Sequence, residues 1–279
     1  MIRAIRSSLF RLFRTGVLVK IIIFAFVSSA LVLFTNCMET LELLPFQQPR
    51  YINDMFVLQN MLNLLYVIPF GAAVFTMMFI GDDVSYRAIN NKISTGISRT
   101  QIFLSDFIIS IVLIELTVLI EFIVFFVYSK VAPVKENVHL SNFMINSLLG
   151  IMVICAAFTA VYVLLQFFCN NKLLGLILAC LIIPAMALSV ELIKDKLDEP
   201  YRYSYWDEAA GEARWALNEN YVSGFPRTAL EFLYQTNPYS YEYFSTEEVS
   251  LKTETEAAAV VVILSTGLGL LSINKKEYQ

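Results

Sequence analysis

Long apolar stretches alternate with short polar segments along the whole chain. Six windows are long and apolar enough to cross a hydrocarbon core of about 30 Å, which takes about 20 helical residues. They run approximately from Val17 to Asn36, Met61 to Ile80, Ile102 to Tyr128, Phe143 to Cys169, Leu173 to Ile193 and Ala257 to Ile273. The two-residue alternation of a barrel strand is missing from these windows. The pattern therefore predicts six transmembrane helices.

The composition agrees with this pattern. Of the 279 residues, 57% are hydrophobic and only 16% are charged, whereas a soluble domain carries about 25% charged residues. The mean hydropathy is +0.64. We therefore predict an all-α integral membrane protein, with a single transmembrane domain over residues 1–279.

Residues 1–16 precede the first window and have a helical pattern of their own. Apolar residues recur at helical spacing while basic and small polar residues fill the opposite arc. The apolar set is Ile2, Ile5, Leu9, Leu12 and Phe13, and the polar set is Arg3, Arg6, Ser7, Arg11 and Arg14. This arrangement predicts an interfacial amphipathic helix. A basic flank that only sets topology would explain the arginines but not the apolar spacing.

The basic residues predict the orientation of the chain. Six spans place both termini on one side, which carries 11 basic residues in about 51 positions, against 9 in about 95 on the other side. By the positive-inside rule both termini are cytoplasmic in a multi-pass protein of the plasma membrane. Topology and contact with anionic membrane lipid account for these basic residues, so no nucleic-acid partner is expected.

The segment 194–252, between the fifth and sixth windows, is predicted to be a large extracellular loop. It holds eight of the fourteen tyrosines, both tryptophans, eleven acidic residues and six basic ones. This aromatic density suits a membrane–water boundary. Phe225-Pro226 begins a short predicted helix over Arg227 to Gln235, which Asn237-Pro238 ends. That helix either rests on the outer leaflet or forms a solvated cap.

Catalytic motifs are missing from the sequence. There is no Gly-x-x-x-x-Gly-Lys-Ser/Thr loop for a nucleotide phosphate and no Gly-x-Ser-x-Gly elbow. The single histidine, His139, has no second ligand near it in the sequence, and the four cysteines have no metal-binding spacing. We therefore predict no catalytic residue, no metal site and no cofactor bound by this chain.

Two carboxylates lie deep in the third window. Glu115 and Glu121 are six residues apart, and Asp106 lies near the start of the same window. Carboxylates at such depth are costly and normally face a bundle interior or water. At 100° per residue Glu115 and Glu121 diverge by about 120°. No basic residue lies in the middle of any window to pair with them, so Glu115 and Glu121 are candidates for a substrate pathway.

A compact polar segment, residues 81–101, joins the second and third windows and reads GDDVSYRAINNKISTGISRTQ. It is compatible with a helix as far as Lys92 and turns at Gly96. The extended motif DDVSYRAINNKISTGISRTQIFLSDF resembles a segment of the permease subunits of type-2 ATP-binding-cassette (ABC) exporters, in which an acidic residue and a short helix precede Ser-x-Gly-x-Ser-Arg. The basic N-terminal helix, the six spans and the large loop before the last span also resemble this family.

The resemblance implies a permease that pairs with a second copy or a related permease. Two separately encoded ABC ATPase subunits, which carry ATP and Mg, would drive the pair, and this chain would not be an enzyme. It implies that the coupling helix lies in residues 81–101, with the N-terminal helix Ile2 to Arg14 along the same interface and Asn170 to Lys172 as a second contact. The implied coupling residues are Asp82, Asp83, Arg87, Lys92, Gly96 and Arg99.

One residue departs from the family pattern, because members often carry lysine where Asp106 begins the third span. The substrates that the resemblance suggests are antimicrobial peptides, drugs or lipid-like molecules. Two other classes remain open from the residues alone. One is an ion-coupled carrier or channel that uses Glu115 and Glu121, and the other is a membrane anchor or sensor whose outer loop binds a ligand.

Overall fold

Helices make up most of the structure, a computed structural model that describes residues 1–42, 63, 67–85, 88–131, 140–169, 171–207, 211–237, 239 and 251–275. The helices are α1 (Ile2–Thr15), α2 (Val17–Glu42), α3 (residues 67–85), α4 (Ala88–Ser94), α5 (Arg99–Val131), α6 (Leu140–Cys169), α7 (Lys172–Asp198), α8 (Phe225–Gln235) and α9 (Leu251–Lys275). Two strands, β1 (Arg202–Asp207) and β2 (Glu212–Leu217), lie between α7 and α8.

Six helices of the described chain are long and apolar enough to span a membrane, one for each predicted window. The spans are Val17–Phe34, Val67–Val84, Arg99–Tyr128, Leu148–Cys169, Lys172–Asp198 and Thr255–Lys275. The fold is therefore that of a multi-pass helical membrane protein, as the apolar pattern predicted.

The spans differ in how far the rest of the chain encloses them. Two thirds (67%) of the Val67–Val84 span is buried inside the protein, against 22% of the Thr255–Lys275 span. The last span therefore leaves most of its surface to lipid or to another chain. In the enclosed helix α3, a π-helical turn over Met77–Gly81 precedes the acidic pair Asp82 and Asp83. Such turns re-aim the side chains that follow them.

Aromatic rings pack among aliphatic side chains in the core of the first compact unit, Met1–Ile183 with Val249–Gln279. The Phe103 ring lies 6.1 Å from that of Phe107 and 5.2 Å from that of Phe167 on α6. Helix α9 packs along α6 and α5, and its Gly269 lies against the Phe103 ring. A missing side chain on α9 thus makes room for a buried ring on α5.

The second compact unit, Pro184–Glu248, contains the C-terminal half of α7, the hairpin and α8. The short helix predicted after Phe225-Pro226 is present, and Asn237 follows its end. The Asn237 amide donates hydrogen bonds to the Met186 carbonyl and the Ser189 hydroxyl of α7, each at 3.0 Å. Helix α8 is thereby fixed alongside α7 within this unit.

The hairpin of β1 and β2 is an addition to the all-α architecture that the sequence pattern predicted. Arg202 pairs with Leu217 at its base and Asp207 pairs with Glu212 at its tip. Gly211, at φ 65°, adopts the left-handed conformation that precedes β2. The polar–apolar alternation by which a hairpin is recognised in sequence is interrupted by adjacent Tyr205 and Trp206 in β1 and by the apolar run from Trp215 to Leu217 in β2.

Two glycines on α9 provide a matched test of the packing between α5 and α9. A Cβ at Gly269 would collide with the Phe103 ring, while a Cβ at Gly267 would meet nothing within 4 Å. We expect Gly269→Ala to destabilise the protein by about 1–3 kcal/mol through overpacking, and Gly267→Ala to be neutral or slightly stabilising. The measurement is the thermal unfolding midpoint in detergent. Equal midpoints for the two variants would contradict the described contact.

Candidate functional site

Helix α1 has three distinct faces. Ala4, Ser8 and Leu12 are buried against the protein, and Arg11 lies beside them. A second face exposes apolar side chains, and a third exposes basic ones. Ile2, Leu9 and Phe13 form the apolar face, Arg3 and Arg14 lie on the basic face, and Arg6 and Phe10 lie at the border between the two. Sequence analysis placed Arg11 with the other arginines on one polar arc, whereas the structure turns it toward the protein.

Arg11 belongs to a buried group that we call the four-charge cluster: Arg11, Asp83, Lys92 and Asp106. The Arg11 guanidinium forms an ion pair with Asp83 and lies 3.3 Å from Oδ1 of Asp106. Lys92 Nζ lies 2.5 Å from Oδ2 of Asp83 and 3.7 Å from Oδ2 of Asp106. The Ser8 hydroxyl donates to Asp106 at 2.7 Å. The cluster thus joins α1, α3, α4 and α5.

The charges in the cluster depend on one another because they are removed from water. The side chain of Asp106 is 0% exposed and that of Asp83 is 8% exposed. Two carboxylates face two cations, which is the condition for burying ionised groups without a large penalty. Desolvation lowers the pKa of Lys92, and Asp106 acts in the opposite direction. Burial likewise lowers the pKa of Arg11, against the attraction of Asp106.

The aromatic ring of Phe79 completes the setting of Arg11. The guanidinium carbon lies 4.1 Å from the centre of this ring, within range of a cation–π interaction. Phe79 lies in the π-helical turn, four residues before Asp83. The irregular end of α3 therefore supplies both a ring and a carboxylate to one guanidinium.

Backbone hydrogen bonds close the end of α4. The Gly96 amide donates to the Ile93 carbonyl at 2.9 Å, and the Ile97 amide donates to the Lys92 carbonyl at 3.2 Å. Gly96 has φ 84°. This is the Schellman arrangement, which requires a left-handed residue and suits glycine. The predicted coupling residue Gly96 therefore sets the backbone of the turn.

A capping box begins α5 directly after this turn. The Gln101 amide donates to the Ser98 hydroxyl at 3.3 Å, and the Ser98 amide donates to the Gln101 side-chain oxygen at 3.4 Å. The Arg99 guanidinium donates to the Asn274 carbonyl near the end of α9 at 3.3 Å. A cation at this position also complements the negative end of the α9 dipole.

A further ion pair ties the end of α3 to the start of α7. Lys172 Nζ lies 2.7 Å from Oδ1 of Asp82. Both side chains are partly exposed, at 39% and 47%. Next to this pair, Gly81 and Gly175 lie close to the buried side chain of Gln166. An added Cβ at Gly175 would collide with Gln166, and one at Gly81 would collide with Lys172. Residues 81–101 therefore contact α1, α5, α7 and α9 at one end of the helices.

Part of the same segment stays exposed. A cleft of about 460 Å³ separates the start of α1 from the turn between α4 and α5. Its lining residues are Met1, Ile2, Arg3, Thr95, Gly96, Ile97 and Gln101. The turn and the first residues of α1 thus form one surface at the end of the helices.

The predicted coupling residues therefore differ in what they can contact. Asp83 and Lys92 face the four-charge cluster, so they hold the segment in place and offer little surface to another chain. Asp82 and Arg99 bind α7 and α9. Arg87 lies outside the described residues. Exposed surface is instead concentrated in the turn that contains Gly96.

Sequence analysis did not identify Arg11 and Ser8 as members of the site. An amphipathic pattern separates polar from apolar residues but does not show which arginine meets a buried partner. Two signals are present in the sequence. The repeat of Ala4, Ser8 and Leu12 every four residues indicates close helix packing. Asp106 has no cation in the middle of any span, so its counter-charge has to come from elsewhere.

The two predicted pathway carboxylates have different environments. Glu121 is 0% exposed and accepts a hydrogen bond from the Ser28 hydroxyl of α2. Glu115 is half-buried, and its Oε2 atom has no hydrogen-bond partner in the part of the chain that the structure describes. The structure thus places Glu121 at the contact between α2 and α5, and Glu115 on a different side of α5.

One face of α5 carries a line of buried polar residues that the sequence analysis did not note. Asp106, Ser110, Thr117 and Glu121 are each at most 4% exposed. At 100° per residue all four fall within an arc of about 60°. Glu115 lies opposite this arc, about 180° from Asp106. The four-charge cluster and the Ser28–Glu121 contact therefore share one polar face of α5.

Comparisons with known proteins do not identify a family. No protein-family model matches the chain, and no curated protein matches it significantly. Within the described residues, no three His, Cys, Asp or Glu side chains are grouped as a metal site would require. The function therefore has to be inferred from the site itself.

Two aspartates in ion pairs of different burial allow a matched test of the cluster, with Asp106→Asn on α5 as the probe and Asp82→Asn on α3 as the control. Removing the charge of Asp106 leaves two buried cations with one carboxylate, a loss of about 3 kcal/mol. Removing the charge of Asp82 breaks a partly exposed pair, with a loss below about 1 kcal/mol.

The measurement is again the unfolding midpoint in detergent, which we expect to fall several-fold further for Asp106→Asn than for Asp82→Asn. If both substitutions lowered the midpoint equally, the described difference in burial between the two ion pairs would be contradicted.

Proposed function

We propose that this chain is the transmembrane permease subunit of an ABC exporter, working with a second permease copy or a related permease. Separate ABC ATPase subunits, which hold ATP and Mg, would drive the pair. The observation that carries the proposal is the set of contacts that residues 81–101 make with other helices. A short exposed turn is joined by ion pairs and hydrogen bonds to four other helices, which is what a segment that transmits force from a soluble partner requires.

The charge distribution supports a cytoplasmic location for this surface. The end of the helices that contains the four-charge cluster also carries Arg3, Arg6, Arg14, Lys20 and Lys275. A concentration of Lys and Arg near span ends marks the cytoplasmic side. Both termini would then lie in the cytoplasm, with the chain in the plasma membrane, and residues 194–252 would lie outside.

The proposed coupling uses contacts that join the exposed turn to several different helices. A displacement of the turn would be transmitted to α1 and α5 through the four-charge cluster. It would reach α7 through Asp82 and Lys172, and α9 through Arg99. In this proposal Asp83 and Lys92 act as positioning residues inside the chain, and the turn around Gly96 makes the contact with the ATPase.

Helix α1 would lie in the membrane interface while it takes part in this contact. Its exposed apolar face suits the acyl boundary, and its exposed arginines suit anionic headgroups. The cluster fixes the remaining face to the protein. The cleft between α1 and the turn, lined in part by Ile2 and Thr95, would receive the surface of the ATPase.

For the transported molecule, an antimicrobial peptide, a drug or a lipid-like molecule remains the sequence-based proposal. Of the two intramembrane carboxylates, Glu115 is the better candidate for the pathway because it is half-buried, whereas Glu121 is 0% exposed. Glu121 would serve to hold α2 and α5 together. An ion-coupled carrier is the competing proposal, and it would need no ATPase.

The test of the coupling surface is Thr95→Trp, which places a bulky ring in the cleft at an exposed position. We expect the tagged permease to lose the ATPase that co-purifies with the unaltered protein, detected by photoaffinity labelling with an azido-ATP. The matched control is Asn220→Trp, an exposed residue beyond β2, which should retain the ATPase.

If both variants captured the ATPase equally, the ATPase contact would lie elsewhere on the permease. If the unaltered chain captured no ATPase, transported its substrate in vesicles without ATP and lost that transport in Glu115→Gln, the ion-coupled proposal would replace the exporter.

A further inference from the structure

The two faces of the β1–β2 hairpin differ in chemistry. Cross-strand pairs lie on the same face, and faces alternate along each strand. One face, here called the tryptophan face, consists of Arg202, Ser204, Trp206, Ala213, Trp215 and Leu217. The other, here called the tyrosine face, carries Tyr203 and Tyr205, whose ring centres are 6.4 Å apart. It also carries an ion pair in which Nε of Arg214 lies 3.2 Å from Oε1 of Glu212.

The tryptophan face is open to its surroundings. Trp206 is 66% exposed, Trp215 is 68% exposed and Leu217 is 59% exposed. The residue opposite Trp206 is Ala213, and Ser204 is opposite Trp215, so the two indoles are diagonal neighbours. A two-stranded hairpin is at best marginally stable alone in water. An exposed apolar face on such a hairpin therefore gains stability from whatever covers it.

The root of the hairpin is fixed close to the end of a membrane span. Helix α7 has 27 residues, about 40 Å at 1.5 Å per residue, which matches a whole bilayer with its headgroup regions. Strand β1 begins four residues after Asp198, within about 14 Å of chain. The Asn218 side chain donates to Glu199 at 2.6 Å, and its backbone amide donates to the Tyr201 carbonyl at 3.1 Å.

Helix α8 is also attached to the end of α7. The Arg227 guanidinium donates to the Leu197 carbonyl, in the last turn of α7, at 3.2 Å. It also lies 5.0 Å from the centre of the Tyr221 ring, which contacts Tyr201 edge-on at 5.3 Å. These contacts join the base of the hairpin to the end of the span. The hairpin therefore begins at the depth of the lipid headgroups.

From this placement we infer that the tryptophan face binds the headgroup layer of the leaflet that surrounds the outer half of α7. The indoles of Trp206 and Trp215 take the amphipathic boundary position that tryptophan prefers. Leu217 reaches the acyl region, and exposed Arg202 lies on the same face to meet lipid phosphates. The tyrosine face, with its Arg214–Glu212 ion pair, remains in water. The inference does not depend on the proposed exporter function.

The chain offers a direct probe, because Trp206 and Trp215 are its only two tryptophans. The intrinsic tryptophan emission of the full-length protein therefore reports only on this face. We would record it in nanodiscs of phosphatidylcholine and phosphatidylglycerol held by a scaffold protein without tryptophan, where both membrane surfaces are open to the buffer. One preparation contains brominated acyl chains, and another receives iodide in the buffer.

We expect a blue-shifted emission that brominated lipid quenches for the greater part and iodide quenches little. Strong quenching by iodide with little by brominated lipid would overturn the inference, because the face would then lie in water. A blue-shifted emission that neither reagent quenches would also overturn it, because protein would then cover the face, either a second copy or another chain.

The matched control moves the probe to the other face. In Trp206→Phe/Trp215→Phe/Tyr205→Trp the single tryptophan lies on the tyrosine face, and the two phenylalanines keep the tryptophan face apolar. We expect the ratio of bromolipid quenching to iodide quenching to fall several-fold in this variant. The same ratio for both proteins would show that the two faces are not distinguished by lipid, which contradicts the inference.

Discussion

Asp106 is a carboxylate without access to water, and the membrane-spanning helices do not supply its counter-charges. The cations come from α1 and α4, two elements outside the spans, through Arg11 and Lys92. A helix of seven residues such as α4 has little stability of its own. The need to neutralise Asp106 and Asp83 therefore fixes these surface helices to α5, and the arrangement of residues 81–101 depends on it.

The connection between α4 and α5 is short and stiff. A Schellman turn at Gly96 ends one helix, and a capping box from Ser98 to Gln101 begins the next. Because Ile97 belongs to the Schellman turn and Ser98 begins the capping box, no residue between them is left to absorb displacement. A force applied at the turn would move α5 as a rigid body, and ion pairs would carry the motion to helices that are remote in sequence.

The six spans could be predicted because length and apolarity alone decide them. Their ends could not be predicted as well: α7, for example, continues as a helix through Lys194 to Asp198, past the end of its apolar window. The partners within the site were not predictable for a different reason. Ser28 and Glu121, like Arg11 and Asp106, are more than ninety residues apart. Periodicity shows which residues share a face of a helix, but it carries no information about the face that another helix presents.

The three faces of α1 also limit how it can vary. A plot of polarity around the helix would treat Arg11 as equivalent to Arg6 or Arg14. Of these three arginines, Arg11 is the one that pairs with two carboxylates and stacks on a ring within the described part of the chain. Lysine at this position would keep the charge and the amphipathic pattern but lose the forked geometry. Helix α1 is consequently not interchangeable with another amphipathic helix of the same polarity pattern, because such a helix would leave Asp106 without its guanidinium partner.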